Sequence, residues 1–244
     1  MIEFTIDGKT VQAERGESLL KIATEQGFRI PHLCYHEAVQ PYGACRLCLV
    51  EVTQTSHGRK RTKLTTSCNY PALEGIEVVT QSERINKNRR MIIELLLARA
   101  PKAKRLQELA EEYGVDRVRF PTSGAESDHE CILCGLCVQI CRDVVGVDAL
   151  GFTGRGVNKE ARPPFGEPST ECIACAACVE ACPVDCIKME ETHTLRTIVR
   201  WERTLPMRVC ETCGYPFAPT FQLMHFAKKI GKSLSDFRVC PDCR

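Results

Sequence analysis

Two stretches with the same cysteine spacing dominate the sequence: Cys131-Ile-Leu-Cys-Gly-Leu-Cys-Val-Gln-Ile-Cys141 and Cys172-Ile-Ala-Cys-Ala-Ala-Cys-Val-Glu-Ala-Cys182. Each has the form C-x2-C-x2-C-x3-C, and the second follows the first after about 41 residues, as an internal repeat does. A proline follows the last cysteine of the second copy, whereas Arg142 stands at that place in the first. Cysteines grouped in this way suit metal ligation better than disulfide bonding.

The spacing is the two-cluster bacterial ferredoxin pattern, in which three cysteines of one run bind a [4Fe–4S] cluster and the fourth binds the other cluster. The expected ligands are Cys131, Cys134, Cys137 and Cys182 for cluster one, and Cys172, Cys175, Cys178 and Cys141 for cluster two. This crossing forces the clusters close together, which suits electron conduction. Zinc, which prefers four ligands from two knuckles, is the alternative. Cys186 is left over, and we expect it to be a buried free thiol.

An N-terminal set consists of Cys34, Cys45, Cys48 and Cys68. A central CxxC with two distant single cysteines is the plant-type arrangement for a [2Fe–2S] cluster, with altered loop lengths. Gly43 and Ala44 keep the loop before Cys45 small, so that backbone N–H groups can approach the sulfurs. The alternatives are a zinc site or unrelated thiols. His32 and His36 flank Cys34 and would be ligands in a Rieske-type site, but four available cysteines favour packing or supporting roles.

The first 80 residues have the pattern of a β-grasp fold. Apolar residues alternate through residues 1–13 around Asp7-Gly8, which predicts a hairpin. Residues 18–27 predict a short helix that ends at a glycine. Strands are expected at 47–52 and 76–79, after cysteine-bearing loops. The basic run 57–63 is interpreted as an exposed loop tip, and the alternative is a docking patch for an acidic partner.

The remaining chain divides into three further regions. Residues 81–120 predict a helical linker, with helices over 82–99 and about 102–113. Residues 121–200 hold the two-cluster domain, which begins with a polar, turn-rich linker over 121–130. Residues 207–244 are expected to form a small separate module with a helix over 220–230. The fold class is therefore α+β, built from small modules.

The last module contains two CxxC knuckles, made by Cys210, Cys213, Cys240 and Cys243. Two knuckles with an element between them suit a tetrahedral zinc site with four cysteine ligands. A third [4Fe–4S] cluster is the competing interpretation. Zinc has no redox chemistry, so a zinc-bound tail would be structural and would lie off the electron path.

Composition narrows the class of protein. The chain has 244 residues with 17 cysteines and one tryptophan, and its N-terminus lacks the features of a signal peptide. We therefore expect a cytoplasmic, metal-rich protein. The net charge of +2 gives no general case for nucleic acid, and no apolar stretch is long enough for a membrane span.

The residues around the cysteines resemble a known family. The stretches 30–36, 43–52 and 66–68 are similar to the N-terminal domain of the large iron–sulfur subunit of complex I. They are equally similar to the diaphorase subunit of bidirectional NiFe hydrogenases and to the corresponding subunit of electron-bifurcating hydrogenases. The resemblance continues through 89–97, 106–110, 131–137 and 149–156, and covers about residues 1–190.

One departure from that family concerns the linker. The family has a [4Fe–4S] cluster with one histidine and three cysteine ligands between its β-grasp and two-cluster domains. The corresponding stretch here is Ala98-Arg-Ala-Pro-Lys-Ala-Lys-Arg105, which holds neither cysteine nor histidine. This cluster should therefore be absent, and electrons should either bypass its place or follow a route that differs from that of the family.

The resemblance implies an electron-relay subunit that has no catalytic residues of its own, since no nucleotide-binding motif or flavin domain is present. Implied partners are a flavin- and NAD(P)-binding subunit, a thioredoxin-like [2Fe–2S] subunit and the small and large subunits of a NiFe hydrogenase. Electron bifurcation with ferredoxin is allowed by the resemblance. A formate dehydrogenase or a transhydrogenase-like complex is the alternative. A zinc-stabilised interaction protein without a redox role is the rival from another class.

Overall fold

The computed structural model describes residues 1–123 and 130–244, so most of the expected linker over 121–130 lies outside the described residues. Two compact units are present, Met1–Gly135 and Leu136–Arg244, and the boundary between them falls within the first cysteine run. None of the helices in the described ranges has the length and apolar character of a membrane span.

The first unit begins with a five-stranded sheet of order β2-β1-β5-β3-β4. Its strands are β1 (Ile2–Ile6), β2 (Lys9–Ala13), β3 (Leu49–Ser56), β4 (Arg59–Thr66) and β5 (Glu77–Val79). The sheet is antiparallel except that β1 pairs with β5 in parallel. The Asp7-Gly8 turn has φ of 48° and 79°, the left-handed conformation that a tight hairpin of this kind needs.

Helix α1 (Leu19–Glu25) supplies its apolar side to the core of this sheet. Leu19, Leu20 and Ile22 are at most 2% exposed and pack with the inward side chains of β1, β3 and β5. The hairpin, α1 and the sheet confirm the expected β-grasp architecture. The cysteine-bearing loops are connected to this sheet, and the sheet therefore positions the cysteines.

Helices α2 (Glu83–Arg99) and α3 (Lys104–Tyr113) follow, close to the expected bounds. The Ser82 side chain accepts a hydrogen bond from the Ile85 N–H at 3.1 Å and so caps the start of α2. Gly114, with φ of 63°, ends α3 in the left-handed conformation. The two helices pack against each other.

The second unit contains a four-stranded antiparallel sheet of order β11-β10-β9-β8 and a two-stranded hairpin. The hairpin strands are β6 (Gly151–Thr153) and β7 (Glu160–Arg162), and the sheet strands are β8 (Met189–Glu191), β9 (Leu195–Ile198), β10 (Arg203–Val209) and β11 (Pro216–Pro219). Its helices are α4 (Leu136–Gln139), α5 (Ala177–Glu180) and α6 (Thr220–Lys229). Strand β10 runs through position 207, so the expected tail module shares a sheet with the region before it.

Candidate iron–sulfur and metal sites

The four N-terminal cysteines come from two loops and one turn of the β-grasp sheet. Cys34 follows α1, Cys45 and Cys48 precede β3, and Cys68 lies in the 3-10 turn after β4. All four are at most 2% exposed. The loop bends through Gly43 and Arg46, whose φ values of 69° and 59° turn the backbone inward. Cys45 N donates to Cys34 Sγ at 3.2 Å.

These four sulfurs are arranged as two pairs. Cys34 interacts most strongly with Cys45, and Cys48 with Cys68, as the opposite shifts of their pKa values show. All four cysteines are among the described residues, and no three of their sulfurs lie within 4.8 Å of one another. A single zinc ion would gather all four sulfurs around one point, whereas a [2Fe–2S] cluster needs two thiolates on each of two irons. The residues therefore fit the two-iron cluster.

The pairing also separates the acidities of the four thiols. The hydrogen bond from Cys34 lowers the pKa of Cys45 to about 6, and that from Cys68 lowers the pKa of Cys48 to about 7. The pKa values of Cys34 and Cys68 are raised by the same bonds, and then by burial. Two thiolates are thus available near neutral pH, and metal binding must release the other two protons.

Arg89 of α2 supports this site from the interior of the domain. Its side chain is 1% exposed, and its guanidinium donates to the carbonyls of Leu47 (3.3 Å), Leu49 (2.8 Å) and Thr80 (3.1 Å). Leu47 lies between Cys45 and Cys48, so Arg89 fixes the cysteine loop directly. Burial lowers the pKa of Arg89, while Tyr113 acts in the opposite direction. Sequence reasoning placed this residue in the family match but gave it no role.

The two histidines beside Cys34 make local backbone contacts. His32 Nδ1 lies 2.9 Å from the Ile30 carbonyl oxygen, and His36 Nδ1 accepts a hydrogen bond from the Ala38 N–H at 3.1 Å. With four buried thiols at the site, this agrees with supporting roles rather than with metal ligation.

In the second unit, a small apolar cavity collects the cysteines expected for cluster two. Cys141, Cys172, Cys175 and Cys178 all line it, together with apolar side chains that include Ile198 and Trp201. Cys141 comes from a π-helical turn, Ile140–Val145, and the other three come from the second cysteine run. Four thiols that converge on an apolar cavity form the donor set that a [4Fe–4S] cluster requires.

Burial has the largest effect on the pKa values of three thiols in this cavity. It raises the pKa of Cys141 and of Cys172, and it raises that of Cys178 to about 12. The Trp201 indole N–H donates to Cys178 Sγ at 3.3 Å, which acts in the opposite direction on the pKa of Cys178. At neutral pH Cys141, Cys172 and Cys178 keep their protons without a metal, so cluster binding must release protons.

The internal repeat is visible in the backbone as well as in the sequence. Leu133 and Ala174, two residues after the first cysteine of each run, have φ of 53° and 50°. Gly135 and Ala176, two positions further on, have φ of 81° and 65°. Left-handed conformations at the same two places turn each loop around its thiols, and Leu133 N donates to Cys131 Sγ at 3.4 Å.

Two arginines after the second cysteine run hold its backbone in place. Arg203 donates to the carbonyl oxygens of Cys172 (2.8 Å) and Thr170 (3.0 Å). Arg196 donates to the Ala174 carbonyl at 3.3 Å. Sequence reasoning missed Arg196, Arg203 and Trp201, and the one signal available was that Trp201 is the single tryptophan of the chain.

The ligands expected for cluster one are divided between the two units. Cys131 and Cys134 are buried in the first unit, and Cys137 is buried in the second. Cys182 Sγ, also in the second unit, lies 3.5 Å from Cys186 Sγ. The hydrogen bond with Cys186 lowers the pKa of Cys182 to about 6. Cys186 is buried, as expected, and it contacts a predicted ligand.

The C-terminal cysteines form the tightest thiol group among the described residues. The sulfurs of Cys210, Cys213, Cys240 and Cys243 all lie within 4.8 Å of one another, and those of Cys213 and Cys240 are 3.8 Å apart. Sulfurs around zinc stand about 3.8 Å apart when each Zn–S bond is about 2.3 Å. A [4Fe–4S] cluster binds each thiolate to a different iron and needs wider spacing. The donor set and its spacing therefore fit zinc.

Backbone hydrogen bonds prepare this site for a metal. Cys240 N donates to Cys210 Sγ at 3.3 Å, and the same bond is the main reason that the pKa of Cys210 falls to about 6. Hydrogen bonds with Cys240 and Cys213 raise the pKa of Cys243 to about 12. The lowered pKa of Cys210 favours its thiolate, which can bind an incoming cation.

The tail also contacts the segment that carries Cys141. Lys229 Nζ donates to the Val145 carbonyl at 2.6 Å, and His225 Nε2 lies 3.3 Å from the same oxygen. Both side chains belong to α6. Gly146 leaves room for this contact, because a Cβ atom there would lie 2.6 Å from Lys229 Nζ.

Comparison with known families finds two domain families in this chain. Residues 1–83 match the family described as 2Fe-2S iron-sulfur cluster binding domain, and residues 125–189 match the 4Fe-4S dicluster domain. The two matches confirm the expected kinds of iron–sulfur domain and the α+β class.

Two curated relatives illustrate the sequence similarity. The mitochondrial NADH-ubiquinone oxidoreductase 78 kDa subunit of Neurospora crassa is 36% identical over 178 residues, which is 64% of this chain and 23% of that protein. The NADPH-Fe(3+) oxidoreductase subunit alpha of Geobacter sulfurreducens is 33% identical over 177 residues, 64% of this chain and 20% of that protein. The chain thus spans a quarter or less of the length of these relatives.

Among solved structures, a chain in the crystal structure of NAD+-reducing [NiFe]-hydrogenase in the H2-reduced state aligns with a TM-score of 0.61. The two chains are 30% identical in sequence, and the alignment covers 75% of this chain and 85% of the hydrogenase chain.

Proposed function

The chain belongs to the family of iron–sulfur electron-transfer subunits shared by NADH-ubiquinone oxidoreductase 78 kDa subunits and NAD+-reducing [NiFe]-hydrogenase, and we propose that it relays single electrons in a cytoplasmic complex of the hydrogenase type. In this proposal the electrons pass between a flavin- and NAD(P)-binding subunit and a NiFe catalytic site on other subunits. The observation that carries the proposal is the alignment with the hydrogenase chain over most of both lengths.

The proposed cofactors are one [2Fe–2S] cluster, two [4Fe–4S] clusters and one zinc ion. The two pairs of thiols at Cys34–Cys45 and Cys48–Cys68 support one pair on each iron of the two-iron cluster. The cavity at Cys141 supports the ligand set of cluster two, and the set for cluster one follows the cysteine spacing. The sulfur spacing in the tail supports zinc there.

The bound clusters would supply one-electron chemistry, and the protein would hold them and control their surroundings. Burial of the thiols would keep water away from a bound cluster, and backbone amides donate to the sulfurs of the proposed ligands Cys34, Cys131 and Cys141. The stretch 98–105 joins α2 to α3 without cysteine or histidine. We propose that electrons bypass this place, where the family has a further cluster.

The test is to isolate the native complex under anaerobic conditions and identify its subunits. We expect a flavin-binding subunit, a thioredoxin-like [2Fe–2S] subunit and hydrogenase subunits to copurify. Metal analysis of this chain should give about ten irons and one zinc. About fourteen irons without zinc would place a further cubane in the tail. A colourless protein with zinc alone would instead support an interaction protein without a redox role.

A second candidate differs in the terminal site. The NADPH-Fe(3+) oxidoreductase subunit alpha is almost as similar in sequence as the 78 kDa subunit. This supports a relay in an NAD(P)-linked complex without a hydrogenase, such as a formate dehydrogenase or a transhydrogenase-like enzyme. The subunits that copurify distinguish the two candidates.

A further inference from the structure

One side chain outside the cysteine runs contacts a predicted cluster ligand directly. Trp201 is 3% exposed and lines the cavity of Cys141, Cys172, Cys175 and Cys178. Its indole N–H donates to Cys178 Sγ at 3.3 Å, which is within hydrogen-bonding distance for a sulfur acceptor. An indole nitrogen is a donor only, so the direction of this bond is fixed.

The local structure determines where this ring lies. Trp201 ends a 3-10 turn, Val199–Trp201, that connects β9 to β10. Arg196 on β9 and Arg203 on β10 both bind carbonyl oxygens of the second cysteine run. Hydrogen bonds from the strands on either side of Trp201 therefore hold its turn against the loop that carries Cys178. Ile198, which is 1% exposed and also lines the cavity, packs beside it without a polar group.

We propose that Trp201 raises the reduction potential of cluster two through its hydrogen bond to Cys178. This inference rests on the proposed presence of that cluster. Reduction adds one electron to the cluster and so increases the negative charge on its sulfurs. An N–H donor stabilises that charge more in the reduced state than in the oxidised state. The rest of the ring excludes water, which a phenyl ring would do equally well.

The first experiment compares reduction potentials by EPR-monitored titration of the full-length protein. Trp201→Phe removes the N–H and keeps an aromatic cover. We expect the potential of one [4Fe–4S] signal to fall, while the [2Fe–2S] signal stays unchanged. Ile198→Val changes the packing of the same cavity without removing a hydrogen bond, and it should leave the reduction potential of the [4Fe–4S] signal unchanged. An unchanged or higher potential in Trp201→Phe would overturn the proposal.

The second experiment uses the wild-type protein and so does not depend on how the variant folds. The chain contains one tryptophan, so 15N-indole-labelled tryptophan marks a single nitrogen. Pulsed EPR of the reduced protein should show a coupling between this nitrogen and a [4Fe–4S] signal. Intact signals without such a coupling would reject the hydrogen bond. Absence of [4Fe–4S] signals altogether would instead count against the proposed electron-relay function.

Discussion

Arg89 shows how a residue distant in sequence can determine the shape of a ligand loop. Its three hydrogen bonds reach carbonyl oxygens that are 42, 40 and 9 residues away in the chain. A buried guanidinium with several acceptors is costly to remove, because every acceptor loses its partner in a place that water does not reach. In the described part of the chain, Arg89 forms no ion pair.

We expect Arg89→Met to weaken the N-terminal domain and its metal site. Three lost hydrogen bonds at about 1 kcal/mol each should lower the free energy of unfolding by about 3 kcal/mol. The loss can be followed as earlier thermal bleaching of the [2Fe–2S] visible circular dichroism.

Arg90 provides the matched control on the same helix. It is exposed and donates to the Tyr113 carbonyl at 3.0 Å, so Arg90→Met should change stability by about 0.5 kcal/mol or less. Equal losses in both variants would show that the contact between Arg89 and the cysteine loop has no special importance.

Substitution of Cys141 and of Cys182 provides a second test, because each cysteine is expected to bind the cluster that is held mainly by the other cysteine run. Cys141→Ser should remove the cluster held by Cys172, Cys175 and Cys178, beside which Cys141 lies in the cavity. Cys182→Ser should perturb the cluster held by the first run. EPR spectra of the two variants should therefore lose different [4Fe–4S] signals. Loss of the same signal from both variants would contradict the crossed arrangement.

Helix α6 and strand β10 connect the tail to the region of cluster two. A tail that begins at residue 207 would cut β10 in the middle, since this strand runs from Arg203 to Val209. Lys229 and His225 of α6 lie against the Val145 carbonyl, four residues after Cys141. The tail is therefore expected to support the proposed cluster two mechanically, although the zinc ion proposed for the tail would carry no electrons.

Loss of the tail metal should accordingly weaken cluster two. Cys243→Ser removes one ligand of the tail site, so α6 should loosen and the [4Fe–4S] EPR signal of cluster two should decay several-fold faster under an iron chelator. Lys229→Met should act in the same direction with the metal still bound. The exposed neighbour Lys228 makes no such contact with the residues that the structure describes, and Lys228→Met should leave the decay unchanged. An unchanged decay rate in Cys243→Ser would show that the tail site does not stabilise cluster two.

The sequence predicted elements well where local chemistry determines them. The Asp7-Gly8 hairpin, α2 and α6 all appear within a few residues of their expected bounds. The basic run 57–63 is different, because only His57 and Gly58 form a turn and Arg59 begins β4. Its cations lie on an edge strand, where charge discourages pairing with other chains, and the charge hid the strand pattern. The sheet β8–β11 was missed because three of its strands have only three or four residues and β10 contains Pro206, which is uncommon in a strand interior.

Across the full chain, cysteine spacing made the iron–sulfur domains predictable, because a cluster constrains its ligands more tightly than a core constrains its side chains. The supporting contacts were not predictable in the same way. Trp201 lies 23 residues from Cys178 in sequence and Arg203 lies 31 residues from Cys172. No periodicity or spacing rule connects such pairs, since strand β10 and the turn between β9 and β10 bring them together in the folded chain.

The short distance between Cys182 and Cys186 has a consequence for how the protein withstands oxidation in air. Their sulfurs are 3.5 Å apart, and without the proposed cluster the lowered pKa of Cys182 would leave a thiolate beside its neighbour. Dioxygen, by accepting two electrons and the remaining proton, would join the two sulfurs as a disulfide. That bond blocks further oxidation of Cys182 to the irreversible sulfonic acid. Damage by oxygen would thus end in a form that cellular thiols can repair, and the ligand would remain available for rebuilding.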